Sequence, residues 1–324
     1  MRNPEAVGQQ LDSLQALMGE IVDYAGIFPP GNLPLEEAVK NYRKYLDDTD
    51  NWMLRSFVLP IAKLNEVEKY MDLFSNEKQI NFSLVLSKTN TAEEFITVCK
   101  KDKEEATRFL NKYKDCTNVI SLEVPLPPVE VTENILQAVS EVSNALKAKA
   151  FCEMTKPLSA TWIDDMKKTL ASLQRFNIEN PNNELGYKLR MGGVRAELFP
   201  TTEQVAHALK ESIDRKIEIK FTAGLHHPVR FYSDDVQTKM HGFLNLFCGY
   251  MFQYLFNLNL NELEAILQDE NETNFVFSNN QIQWKEYKVS LEMIKHIRQK
   301  MLCSFGSCSF DEPREDLRKL NIMK

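Results

Sequence analysis

The sequence predicts a (β/α)8 barrel of the TIM type, with an extra helix at its N-terminus and a helical extension at its C-terminus. Three observations predict it. First, apolar, β-branched runs of strand length alternate with amphipathic stretches, the pattern of parallel strands joined by crossover helices. Second, the turn after the first run holds only Gly26 and Gly31, where an open doubly wound sheet would usually bring a glycine-rich phosphate turn. Third, the chain has 324 residues, 43% of them hydrophobic, and no low-complexity linker. It therefore reads as one barrel domain over residues 1–324.

The elements follow in order. Pro4 to Met18 is the extra helix. Ile21 to Ala25 is the first strand, closed by the loop Gly26-Ile-Phe-Pro-Pro-Gly31. Pro34 opens the next helix, with Glu36 and Glu37 in the first turn, where carboxylates suit the macrodipole. Met53 to Leu59 is the second strand, stopped by Pro60, and Ile80 to Leu86 the third. A charged helix covers Thr91 to Tyr113. Val119 to Val124 is the fourth strand, ended by Pro125-Leu-Pro-Pro128, and Thr132 to Leu146 the helix after it. Ala148 to Met154 is the fifth strand, Thr161 to Phe176 its helix, and Asn180-Pro-Asn-Asn183 a loop. Gly186 to Met191 is the sixth strand. Thr201 and Gln204 form a capping box for the helix to Arg215. Ile217 to Ala223 is the seventh strand. Met240 to Leu258 and Leu260 to Leu267 are helices. Phe275 to Phe277 and Gln281 to Trp284, around a turn at Asn279-Asn280, are expected as the eighth strand or as a small hairpin. Ser290 to Met301 is a helix, and Asp311 caps a short one to Leu320.

Composition excludes several classes. The net charge is -7 and the pI about 5.5, without a long basic run. Neither nucleic acid nor an anionic membrane is an expected partner. The six cysteines make no C-x-x-C and no zinc spacing, so reduced thiols in a cytoplasmic protein are expected. Met1-Arg-Asn-Pro-Glu5 carries no apolar stretch, and no signal peptide is expected. Phe243 to Leu258 is too short to span a bilayer, which needs about 20 residues. Its apolar residues exceed what one helix face buries, so a homo-oligomer is expected.

Strand parity points to the chemistry. Alternate residues of a strand share a face. Lys188 and Arg190 therefore share one face of the sixth strand, opposite Tyr187, Leu189 and Met191. Lys220 and Thr222 share one face of the seventh, opposite Ile219 and Phe221. The apolar sets suit the helix layer, so the cations turn inward, where they need partner or ligand charges. Glu123, Glu153 and Asp23 offer carboxylates near the carboxyl ends of their strands, where barrels build active sites. A purely structural ion-pair layer would use the same residues. In a catalytic site, a lysine beside other cations loses its proton and attacks a carbonyl as an amine.

The segment after the seventh strand, Thr222-Ala-Gly-Leu-His-His-Pro-Val-Arg230, should lie over the mouth. His226, His227 and His241 fall within sixteen residues. His226 is the acid/base candidate, and His227 and Arg230 are candidates to hold an anionic substrate group. His241 and Asn245, four apart, can face one side of a helix, and with Asp23, Arg190 and Thr222 they are further substrate-binding candidates. In the tail, Ser307 and Cys308 precede a helix start whose free amides can cradle an anion. A plain turn and helix cap fits the same residues.

Asp23-Tyr-Ala-Gly-Ile-Phe-Pro-Pro30, Lys188-Leu-Arg-Met-Gly-Gly193, the Thr222–Arg230 segment, His241-Gly-Phe-Leu-Asn245 and Gly306-Ser-Cys-Ser-Phe-Asp-Glu-Pro313 together resemble a bacterial family described as uncharacterised, across nearly the whole chain. That resemblance implies no activity. More loosely, the chain is similar to class I aldolases of the deoxyribose-phosphate type. Their paired lysines on strands six and seven imply that one of Lys188 and Lys220 forms a Schiff base while the other lowers its pKa. The flanking sequence, the His226-His227 loop and the lack of an evident phosphate turn depart from that pattern.

Three functions are thus expected in order. The first is a cofactor-free lyase or aldolase acting on a small anionic carbonyl compound, with Lys188, Lys220, Glu123, Glu153 and His226 as its catalytic set. The second is a hydrolase or isomerase using zinc or manganese on Asp23, Glu123, Glu153, His226, His227 and His241. The third is a non-catalytic binder of a small anion.

Overall fold

The computed structural model describes residues 10–324. Its strands are β1 Val22–Tyr24, β2 Leu54–Pro60, β3 Ile80–Val85, β4 Thr117–Leu126, β5 Lys149–Met154, β6 Gly186–Arg190, β7 Ile219–Thr222, β8 Phe231–Ser233, β9 Thr238–Met240, β10 Phe275–Phe277, β11 Gln281–Trp284, β12 Tyr287–Ser290 and β13 Leu302–Ser307. Its helices are α1 Asp12–Met18, α2 Leu35–Tyr45, α3 Leu64–Val67, α4 Ala92–Lys112, α5 Glu133–Leu146, α6 Trp162–Glu179, α7 Thr202–Asp214, α8 Phe243–Phe256, α9 Leu260–Leu267, α10 Leu291–Lys300 and α11 Asp311–Lys319. The start of the helix expected from Pro4 lies outside the described residues.

Eight parallel strands close into a barrel in the order β1-β13-β7-β6-β5-β4-β3-β2. This is the predicted (β/α)8 class, with α1 ahead of the barrel and α11 after it. The first seven strands fall within a few residues of their predicted positions. The capping box at Thr201 and Gln204 is formed as expected. Short helical turns between β2 and β3, and the β8–β9 hairpin over the mouth, carry too little periodicity to be read from sequence.

The eighth barrel strand differs from expectation. It is β13, drawn from the tail segment read as turn and cap, whereas β10 and β11 join β12 in a separate antiparallel sheet. The reason is local. Leu302-Cys-Ser-Phe-Gly-Ser307 is diluted by two serines and a glycine, which weakens its apolar signal. Ser304 turns inward to Asp23, while Phe305 turns outward and stacks on Phe243, centroids 5.1 Å apart. The inward residues are small because lysines and carboxylates fill that space. Asp311 is likewise no helix cap. It sits in the first turn of α11, pairs with Arg314 and accepts from Tyr45 Oη at 2.7 Å.

The oligomer expected from α8 loses its premise. Every residue from Phe243 to Gln253 is buried within this one chain, between α7, α9, β12 and β13. Low polarity on all sides is what a helix enclosed by a second layer needs. Among the described residues, no helix is long and apolar enough to cross a membrane.

Candidate active site

Register brings the inward charges into one layer. Glu153 pairs with Lys188 across β5 and β6, and Lys188 with Lys220 across β6 and β7. Lys188 Nζ lies 2.5 Å from Glu123 Oε2 and 2.8 Å from Glu153 Oε2. Lys220 Nζ lies 2.8 Å from both Asp23 Oδ2 and Glu123 Oε1. Glu123 thus bridges the two lysines, one carboxylate oxygen to each. Arg55 approaches Asp23 at 3.5 Å. Three cations, Arg55, Lys188 and Lys220, therefore balance three carboxylates, Asp23, Glu123 and Glu153.

Serines fill the remaining hydrogen-bonding capacity. Ser56 and Ser304 donate to Asp23. Ser121 donates to Ser83 at 2.8 Å, Ser83 donates to Glu123 at 3.0 Å, and Lys220 donates to Ser83 at 3.0 Å. A buried polar network is tolerated when its members are satisfied in this way. Sequence reading missed these serines and Arg55. The signal was present, since Ser121 shares parity with Glu123 inside an apolar strand.

The electrostatics correct one expectation. Burial pushes both lysines toward the neutral amine, but the carboxylates outweigh it and both are held above the ordinary lysine value. Burial likewise opposes ionisation of Asp23 and Glu123. The lysines outweigh that, and both carboxyls sit below the ordinary range. At rest both lysines are therefore ammonium groups, with the Glu123 carboxylate between them.

The two lysines are not equivalent. A cavity of about 660 Å3 opens at the carboxyl ends of the strands. Lys188, Glu123 and Glu153 line it, whereas Lys220 (0% exposed) and Asp23 lie beneath. Arg190 stands on the rim, its Nε donating to Gly192 O at 2.9 Å and its Nη1 3.9 Å from Glu153. Thr222, His226, His227 and Cys308 also line the cavity. So does the exposed Lys88 from the β3–α4 loop, which parity reasoning could not reach because it follows the strand.

His226 Nδ1 lies 3.0 Å from Glu312 Oε2 and 3.8 Å from Cys308 Sγ. Burial favours the neutral ring, but those two partners outweigh it and raise His226 to about 9. His227 pairs with Asp316 and sets its ring edge against Phe231, centroids 4.4 Å apart.

Apart from Asp23, which lies beneath, four predicted binding residues do not line the cavity. Asn245 accepts from the Arg230 amide at 2.9 Å and donates to Ile266 O at 2.7 Å and Asp269 O at 2.8 Å. It ties loops together. His241 donates from Nε2 to Pro200 O at 2.7 Å and accepts at Nδ1 from Arg230 at 3.2 Å. Burial and Arg230 push it down to about 4, so the ring is neutral. Arg230 is spent on that contact. Ser307 accepts from the Ser309 amide at 3.3 Å, and Ser309 Oγ accepts from the Glu312 amide at 3.1 Å. These amides serve turn and cap. The expected zinc or manganese donors do not converge either. Among the described residues, no group of three or more His, Cys, Asp or Glu is placed to hold a metal ion.

No protein-family model and no curated protein matches the chain. A similar solved structure is described as the crystal structure of the probable 3-DHS dehydratase AsbF involved in the petrobactin synthesis from Bacillus anthracis. It is 11% identical, covers 82% of this chain and 98% of that one, and gives a TM-score of 0.36.

Proposed function

We propose that this chain is an enzyme acting on a small anionic carbonyl compound through an imine on Lys188, in the manner of a lyase or aldolase. The observation that carries the reading is the asymmetry of the lysine pair. Lys188 reaches the cavity with two carboxylates on its ammonium, and Lys220 is sealed beneath. In the proposed reaction Lys188 passes a proton to Glu153 or Glu123. The freed amine forms an N–C bond to the substrate carbonyl, and the carbonyl oxygen leaves as water with protons returned by the carboxyls. The resulting iminium withdraws electrons from the neighbouring bond, which then breaks or loses a proton. His226, raised to about 9, is protonated at neutral pH and serves as proton donor. Arg190 and Lys88, on the rim, suit the anionic group of the substrate. Lys220 is a positioning residue that holds Glu123 against Lys188.

Borohydride reduction in the presence of small oxo-acids and phosphorylated aldehydes tests this. The expected result is a stable adduct mapped to Lys188 and lost in Lys188→Arg. If no adduct forms, or adducts spread over surface lysines, the imine is wrong. A binder of small anions is then the reading that survives.

A further inference from the structure

The cavity holds a second cluster that imine chemistry at Lys188 leaves largely unused. Cys308 follows β13 directly, and its Sγ lies 3.8 Å from His226 Nδ1. Glu312, in the first turn of α11, brings Oε2 to 3.0 Å from the same nitrogen. All three side chains line the cavity, and none of the other five cysteines does. The ionisable groups facing the sulfur are His226 from the loop after β7, Glu312 from α11 and Tyr24 from β1. Glu312 favours the cationic ring and holds it beside the sulfur. A thiol beside such an imidazole is a recurrent arrangement of nucleophilic cysteines.

We propose that Cys308, His226 and Glu312 form a second reactive centre, whose ligands are soft carbon electrophiles of the α,β-unsaturated carbonyl class. Apolar wall residues, among them Phe28, Pro29, Val236 and Met240, suit the hydrocarbon part of such a molecule. The sulfur forms an S–C bond at the β-carbon, and the π pair moves to the carbonyl oxygen as an enolate. His226 then delivers a proton to the α-carbon. The sum is addition of S–H across C=C, with no oxidant or reductant. The proposal stands apart from the imine, because no step uses Lys188.

The test is labelling of the full chain with limiting N-ethylmaleimide at pH 6 and pH 8, with adducts mapped by peptide mass. At pH 6, Cys308 should label at least ~10-fold faster than the half-buried Cys116, a contrast typical of an activated thiol. His226→Gln should abolish that advantage. Glu312→Gln, at an exposed position that spares the fold, should reduce it several-fold. Equal rates at Cys308 and Cys116 overturn the proposal, as does an advantage that survives His226→Gln. Should His226→Gln fail to fold, Glu312→Gln decides, and wild-type labelling in it overturns the proposal. Borohydride trapping reports on Lys188 alone, so the two proposals fail separately.

Discussion

Lys188 and Lys220 share chemistry, register and a common carboxylate, yet burial divides their roles. Lys220 has no solvent and offsets its desolvation through Asp23, Glu123 and Ser83. Removing one partner of a buried pair leaves an uncompensated charge, which costs about 3–5 kcal/mol. Lys220→Met is therefore expected to lower stability by that order, measured by urea unfolding. Lys188→Met should cost less, because the cavity lets water reach Glu123 and Glu153, while it abolishes imine trapping. Equal destabilisation by the two variants would contradict this division.

At the scale of elements, the loop after β7 and the start of α8 build a frame around the cavity. Asn245, itself buried, accepts one hydrogen bond from the loop after β7 and donates two to the end of α9 and the residues just after it. Each buried group left unsatisfied costs about 1–3 kcal/mol. Asn245→Ala is expected to lower stability by at least ~2 kcal/mol on that basis, seen as a lower urea midpoint, with Lys188 trapping retained in the folded protein. Loss of trapping at unchanged stability would return Asn245 to the binding site. Gly242, just before α8, shows how tight the frame is. A Cβ there would meet Pro228 O and Val229 Cα at 2.4 Å. The His241-Gly-Phe-Leu-Asn245 motif is distinctive in sequence, and its residues are spent on this packing.

For the whole molecule, the charge layer ties stability to pH. Asp23 and Glu123 are depressed below their unfolded values of about 3.9 and 4.3. Their contribution is present above those values and lost as pH falls through the folded ones, because the unfolded chain then binds more protons. His226 acts in the opposite sense. It is raised from 6.5 to about 9, so its contribution is full below 6.5 and lost as pH rises through 9. The urea midpoint should therefore fall both below ~pH 4 and as pH rises from ~6.5 to ~9. Asp23→Asn with Glu123→Gln should flatten the acid limb and His226→Gln the alkaline one. A wild-type midpoint unchanged from pH 6 to pH 3 would contradict the first assignment.

The sequence by itself determined seven of the eight barrel strands and the inward turn of Lys188, Lys220, Glu123 and Glu153. Those follow from local rules: strand periodicity, and the need of apolar side chains to face helices. Only the tertiary structure decided that β13 closes the barrel, since its small polar residues fit a strand solely because Asp23 and Lys220 occupy the space beside them. It also decided that Glu123 keeps both lysines protonated, that His241, Asn245 and Arg230 brace loops, and that Glu312 meets His226. Such pairings join residues up to hundreds of positions apart. Sequence spacing sets the face a side chain takes, but the neighbour it meets is set by barrel closure.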